Sequence, residues 1–117
     1  MTPEFGVSLD LSAVDIGEFL PKPTSTTGQK EGSSVLWKSA DGRLEIGIWE
    51  CTEGHFTAFR EVASEKCHII SGRVTIKDDK LARDLGPGDF LVMPLGWRGE
   101  WTVHQRVRKL YILDRFI

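Results

Sequence analysis

A chain of 117 residues has room for one domain. Its 40% hydrophobic and 27% charged residues match an ordinary globular protein and exclude a disordered, collagen-like or membrane-spanning composition. Fifteen Lys and Arg against seventeen Asp and Glu give a net charge of −2, spread along the chain, so the basic footprint of a nucleic-acid or anionic-membrane partner is absent.

The first 19 residues, MTPEFGVSLDLSAVDIGEF, carry acids and have neither the basic start nor the apolar stretch of a secretory leader. No apolar run nears the ~20 residues that cross a bilayer. Cys51 and Cys67 are too few for a disulfide framework and read as small buried hydrophobes. The expected compartment is the cytoplasm. Leu11 to Leu20 reads as one or two helical turns, with Ser12 and Asp15 as a capping box. The stretch PKPTSTTGQKEG then reads as loop, so residues 1–33 form an arm and loop ahead of a domain at 34–117.

Beyond residue 33, short apolar runs separated by turn residues every eight to twelve positions indicate a sandwich or barrel. Ser34–Ser39 leads through the Ala-Asp-Gly turn at Ala40–Gly42 into Arg43–Cys51. There Leu44, Ile46 and Ile48 alternate with Glu45, Gly47, Trp49 and Cys51. Strands are expected at His55–Arg60, Glu65–Ser71, Arg73–Lys77, Leu81–Leu85, Phe90–Met93, Glu100–Gln105 and Val107–Leu113, with glycines at 72, 86, 88, 96 and 99 as turns or close approaches. No later segment has a helical period. The fold class is all-β.

Two segments go beyond composition: GHFTAFREVASEKCHIISGRVTI at 54–76 and GPGDFLVMPLGWRGEWTV at 86–103. Glu65 followed by six residues and Gly72, and Gly88 followed by Pro94 and Gly96, resemble halves of the two cupin motifs. Trp49-Glu50-Cys51-Thr52-Glu53-Gly54, Gly96-Trp97-Arg98-Gly99-Glu100-Trp101 and Arg108-Lys109-Leu110-Tyr111 make the chain similar to the cupins that include ureidoglycine aminohydrolases and ethanolamine-utilisation proteins. The resemblance implies an RmlC-like jelly roll closed over a cavity. It also implies a homodimer, with the final strand, ending at Ile117, and the apolar N-terminal arm as the pairing elements.

The same resemblance exposes a gap. The two histidine positions of the first motif fall on Phe59 and Glu61, or on Ala58 and Arg60, while in the second motif the histidine position falls on Gly99 and the later asparagine position on Val103. Of the usual ligand set only Glu65 remains, and one glutamate does not hold a first-row metal tightly. No metal ligands and no cofactor are therefore assigned, with weak binding of a divalent ion left open.

The resemblance points Glu65 into the barrel, where a desolvated carboxylate can act as acid or base, or can be neutralised by Lys109 as a structural pair. Lys109 and Tyr111 share a strand face by period two, which suits an anion anchor and a donor, or simple neutralisation of Glu65. Trp49, Trp97 and Trp101 are candidate cavity walls, with core or dimer packing as the plain reading. Glu61 is a possible second carboxylate on a turn, or a solvated loop charge. His55, His68 and His104 stand alone, and His68 alternates away from Glu65. Two functions of different class follow. One is a binding protein for a small molecule of undetermined identity; the other is a metal-independent or weakly metal-dependent enzyme acting on a small nitrogen-containing metabolite.

Overall fold

The alternating segments pair into antiparallel strands that close on one another. The computed structural model describes residues 3–116. A 3-10 turn at Leu11–Ala13 precedes β1 (Leu20–Pro21), β2 (Lys30–Lys38), β3 (Leu44–Cys51), β4 (Gly54–Phe59), β5 (Ala63–Lys77), β6 (Ala82–Leu85), β7 (Phe90–Met93) and β8 (Arg98–Arg115). The order is β1-β2-β3-β8-β5-β6, with β4 on β8 and β7 on β5.

Two long strands hold this arrangement together. The first part of β8, Arg98–Val103, pairs with β4, while Val107–Asp114 pairs with β3. On its other side β8 runs the length of β5. β5 in turn carries β7 on its first half and β6 on its second. Both strands therefore serve two faces of one barrel, a jelly roll with no helical layer among the described residues. The bend falls where the β5–β8 register shifts between Ile69 and Val74, around Gly72 with φ of 90°. Ala63, Glu65, Cys67 and Ile69 are buried before it, and Val74 and Ile76 after it. The inward set thus changes from odd to even positions, as an extra residue in a pleated strand requires.

The sequence reading broke each long strand in two, and the structure corrects this. Glu65–Ser71 and Arg73–Lys77 are one strand, as are Glu100–Gln105 and Val107–Leu113. Gly72 bends the chain instead of reversing it, because β8 continues alongside as partner. The capping box does not form: Ser12 Oγ donates to Asp10 Oδ1 at 2.5 Å, and Asp15 Oδ1 accepts from the Gly17 amide at 2.8 Å. Nor is the final strand free to pair with another chain. Asp114 lies between Leu44 and Ser64, and Arg115 pairs with Ala63, leaving Phe116 exposed. Ile117 lies outside the described residues.

Arg108 ties the start of the N-terminal arm to the barrel. Arg108 Nη1 donates to the carbonyls of Leu11 and Val14, both at 2.9 Å, while its Nε holds Glu50 Oε1 at 2.7 Å. Ile16 is buried nearby in the chain, but Phe5, Val7 and Leu9 project into solvent at 91, 67 and 81% exposure.

Candidate functional site

Alternate positions on β3, β5 and β8 meet inside the barrel. Period two turns Trp49 on β3, Glu65 on β5, and Trp101, Lys109 and Tyr111 on β8 toward a cavity of about 240 Å³. Lys22, Ser33, Phe56, Arg60, Met93 and Leu113 complete its lining.

Glu65 is its buried carboxylate, 4% exposed. Lys109 Nζ donates to Oε2 at 2.5 Å and Arg60 Nη1 to Oε1 at 2.9 Å, so both oxygens are occupied by cations. Burying a carboxylate costs several kcal/mol unless it is paired in this way. The sequence left two readings of Glu65 and Lys109 open; the structure brings the two into direct contact. Lys109 also stands 4.4 Å from the centre of the Trp49 ring and 4.5 Å from that of Trp101. These distances are within the range of cation–π attraction.

The rings form one cluster. Trp49 meets Phe56 and Trp101 edge to face, both at 5.9 Å, and Phe56 stacks on Trp101 at 5.6 Å. A second ammonium, Lys22 Nζ, lies 4.3 Å from the centre of Phe56 and 3.0 Å from Glu31 Oε1. Glu31 also accepts from Trp49 Nε1 at 2.8 Å, which fixes the orientation of that indole.

Tyr111 shares the inward face with Lys109, as period two requires, but its hydroxyl turns away from Glu65 and donates to Glu45 Oε2 at 2.7 Å. Gly47 makes this possible. A Cβ at position 47 would lie 2.5 Å from the Tyr111 hydroxyl oxygen, so the phenol crosses β3 where no side chain stands. Arg115 Nη2 holds the other oxygen of Glu45 at 2.9 Å. The Tyr111 hydrogen bond, with help from Arg115, holds the Glu45 carboxyl below the usual range for glutamate. Burial, reinforced by that same hydrogen bond, raises Tyr111 well above an ordinary phenol. Tyr111 is therefore a neutral donor at any physiological pH. Burial also pushes the thiols of Cys51 and Cys67 up to about 11.

Two expected site residues lie elsewhere. Trp97 belongs to the turn before β8, where strand alternation does not apply, and its amide donates to the Pro94 carbonyl at 3.0 Å. Its ring covers Gly99, where a Cβ would overlap it, and its Nε1 donates to Asp78 Oδ2 at 3.0 Å. It packs beside Ile76, Leu81 and Leu91, away from the cavity. Glu61 is exposed on the turn between β4 and β5 and does not line the cavity. The three histidines are also outside: His55 lies 3.6 Å from Glu100, His104 is hydrogen-bonded to Thr75 at 2.7 Å, and His68 is on the opposite face of β5 from Glu65.

The sequence reading missed Lys22, Phe56 and Arg60 as cavity residues. Arg60 had a signal, since one alignment of the first motif set it where relatives carry a histidine. Lys22 had none, because it lies in a Pro-rich loop segment. A divalent metal does not fit this cavity. Among the described residues no three His, Cys, Asp or Glu side chains converge, and both oxygens of Glu65 face cations.

A two-faced antiparallel jelly roll with a polar cavity between its faces is the cupin architecture. The model of the EutQ-like cupin domain family matches residues 38–111, and the chain belongs to that family. It is similar in structure to the EutQ protein of Clostridium difficile, with TM-score 0.75, 21% identity, and 92% of this chain and 86% of that one covered. A putative ethanolamine utilization protein Q from Salmonella typhimurium LT2 gives TM-score 0.68 at 18% identity, covering 83% and 78%. The cupin domain of Schizosaccharomyces pombe Cnp3 gives 0.69 at 13%, covering 94% and 74%. Identities this low establish the shared fold and nothing narrower. Among curated proteins there is no match.

Proposed function

We propose that this domain binds a small molecule within the barrel. The observation that carries the reading is open space of about 240 Å³ bounded by a paired buried carboxylate and three clustered aromatic rings. A structural relic would be expected to fill that space with side chains, since protein interiors pack about as densely as organic crystals. The volume lies below the ≈300–1,000 Å³ typical of sites for drug-sized ligands, which points to a compact metabolite. The enzyme reading is less well supported, because an acid or base needs a free oxygen or proton and Glu65 gives both oxygens to cations. The domain is further proposed to work as a cytoplasmic homodimer, with the exposed Phe5, Val7 and Leu9 of the arm covered by a second copy.

The test is a thermal-shift screen of small acids, amines, ureides and sugars, repeated on W101A, with hits followed through Trp fluorescence. Hits that raise the melting temperature, change the fluorescence of Trp49 or Trp101 and vanish in W101A support the reading. A screen with no hit, or hits unaffected by W101A, would overturn it.

A further inference from the structure

The charges around the cavity do not cancel. Lys22, Arg60 and Lys109 contribute three cations, and Glu65 with Glu31 two carboxylates. Lys22 has Glu31 and Lys109 has Glu65, both at close range. Arg60 shares a carboxylate already taken, so it carries the surplus positive charge.

The guanidinium is also incompletely satisfied. Its Nη1 donates to Glu65, but its buried Nε finds no acceptor among the described residues. A charged donor left unpaired away from water costs more than a neutral one, so this seat is a poor one for the side chain to keep. The backbone beneath it is fixed: the Arg60 amide donates to the Trp97 carbonyl at 2.8 Å and its carbonyl accepts from Gly96 at 2.7 Å. The side chain can therefore turn about a held hinge, and Glu65 keeps Lys109 when it does.

We propose that the cavity takes a small organic monoanion, a carboxylate on a flat apolar body, and that Arg60 turns to capture its charge. This rests on the small-molecule reading above and names the ligand class. One negative charge cancels the surplus, and the planar fork of Arg60 presents paired N–H groups to the two oxygens of a carboxylate. The body of the ligand lies against Phe56 and Trp101, with Met93 and Leu113 also lining the space. A cationic ligand meets three like charges, and inorganic phosphate has no apolar part to set against the rings.

The experiment measures binding of benzoate, its neutral isostere benzamide, benzylamine and inorganic phosphate by calorimetry and Trp fluorescence, on the wild-type chain, R60K and R60Q. Benzoate is expected to bind at least about tenfold more tightly than benzamide, a difference near 1.4 kcal/mol. Benzylamine and phosphate are expected to be silent, R60Q to lose the preference, and R60K to keep part of it. Benzamide or benzylamine binding as tightly as benzoate, or R60Q keeping the preference, overturns the anion proposal and leaves the small-molecule reading standing. Silence from all four probes also overturns it, and the broader screen on W101A then decides the small-molecule reading separately. R60K guards against loss of fold, since it retains a cation at the same hinge.

Discussion

Lys109 Nζ lies 2.5 Å from one oxygen of Glu65, and Arg60 occupies the other oxygen, so removing Lys109 does not strand the carboxylate. Removing Glu65 strands both cations. Glu65→Gln is expected to cost about 3–5 kcal/mol, as loss of one partner from a buried ion pair does. Lys109→Met is expected to cost less, about 2 kcal/mol, because a charged hydrogen bond is lost while Arg60 remains. The double variant should cost less than the sum. Denaturant unfolding of the three variants checks this, and equal single costs that add would rule out the shared carboxylate.

Acid stability is expected to follow Glu45. Its carboxyl is held down in the folded state by Tyr111 and then Arg115. A lowered folded value means the contribution is complete above the unfolded glutamate value of about 4.3 and is lost as pH falls through the folded one. Tyr111→Phe removes the largest cause, so the Glu45 carboxyl should titrate at higher pH and acid unfolding should begin earlier. Carboxyl chemical shifts followed by NMR across the acid range supply the measurement, and an unmoved Glu45 would contradict the assignment.

The two thiols should be inert while the barrel is closed. Burial pushes both up to about 11, so at pH 8 little thiolate is present to react. Iodoacetamide labelling read by mass spectrometry should find both cysteines unmodified in native protein and label both across the denaturant transition. Rapid labelling of either in native protein would mean that β3 or β5 opens locally.

Alternation is a local property, so the sequence could set Lys109 and Tyr111 on one face of their strand and His68 opposite Glu65. Which face is the interior was implied for Glu65 only by the family resemblance. What was not legible is where alternation stops. Trp97 has the same parity as Trp101, yet the turn it occupies swings its ring outside. Lys22 and Arg60 come from loop and turn, whose paths depend on long-range partners such as the Glu31 carboxylate and the Trp97 carbonyl. Motif counting could not distinguish a degraded metal site from one in which cations already occupy the carboxylate, because that difference lies in the approach of separate strands.

Sedimentation at micromolar concentration should report a dimer. Phe5→Asp with Val7→Asp should shift it to monomer while leaving the circular dichroism of the barrel unchanged, since the arm is anchored further along at Leu11 and Val14. A wild-type monomer, or a dimer that survives both substitutions, would show that the arm is not the interface.

The bend in β5 also limits which chain lengths this fold can tolerate. Between Glu65 and Ile76 the inward positions move from odd to even, and Gly72 lies within that irregular stretch. Inserting one residue there while keeping the bend would slide Arg73 and Thr75 into the inward places now held by Val74 and Ile76. The six residues separating Glu65 from Gly72 thus behave as a phase setting between two halves of a strand. Lineages of this barrel should vary in the residues at those positions far more readily than in their number.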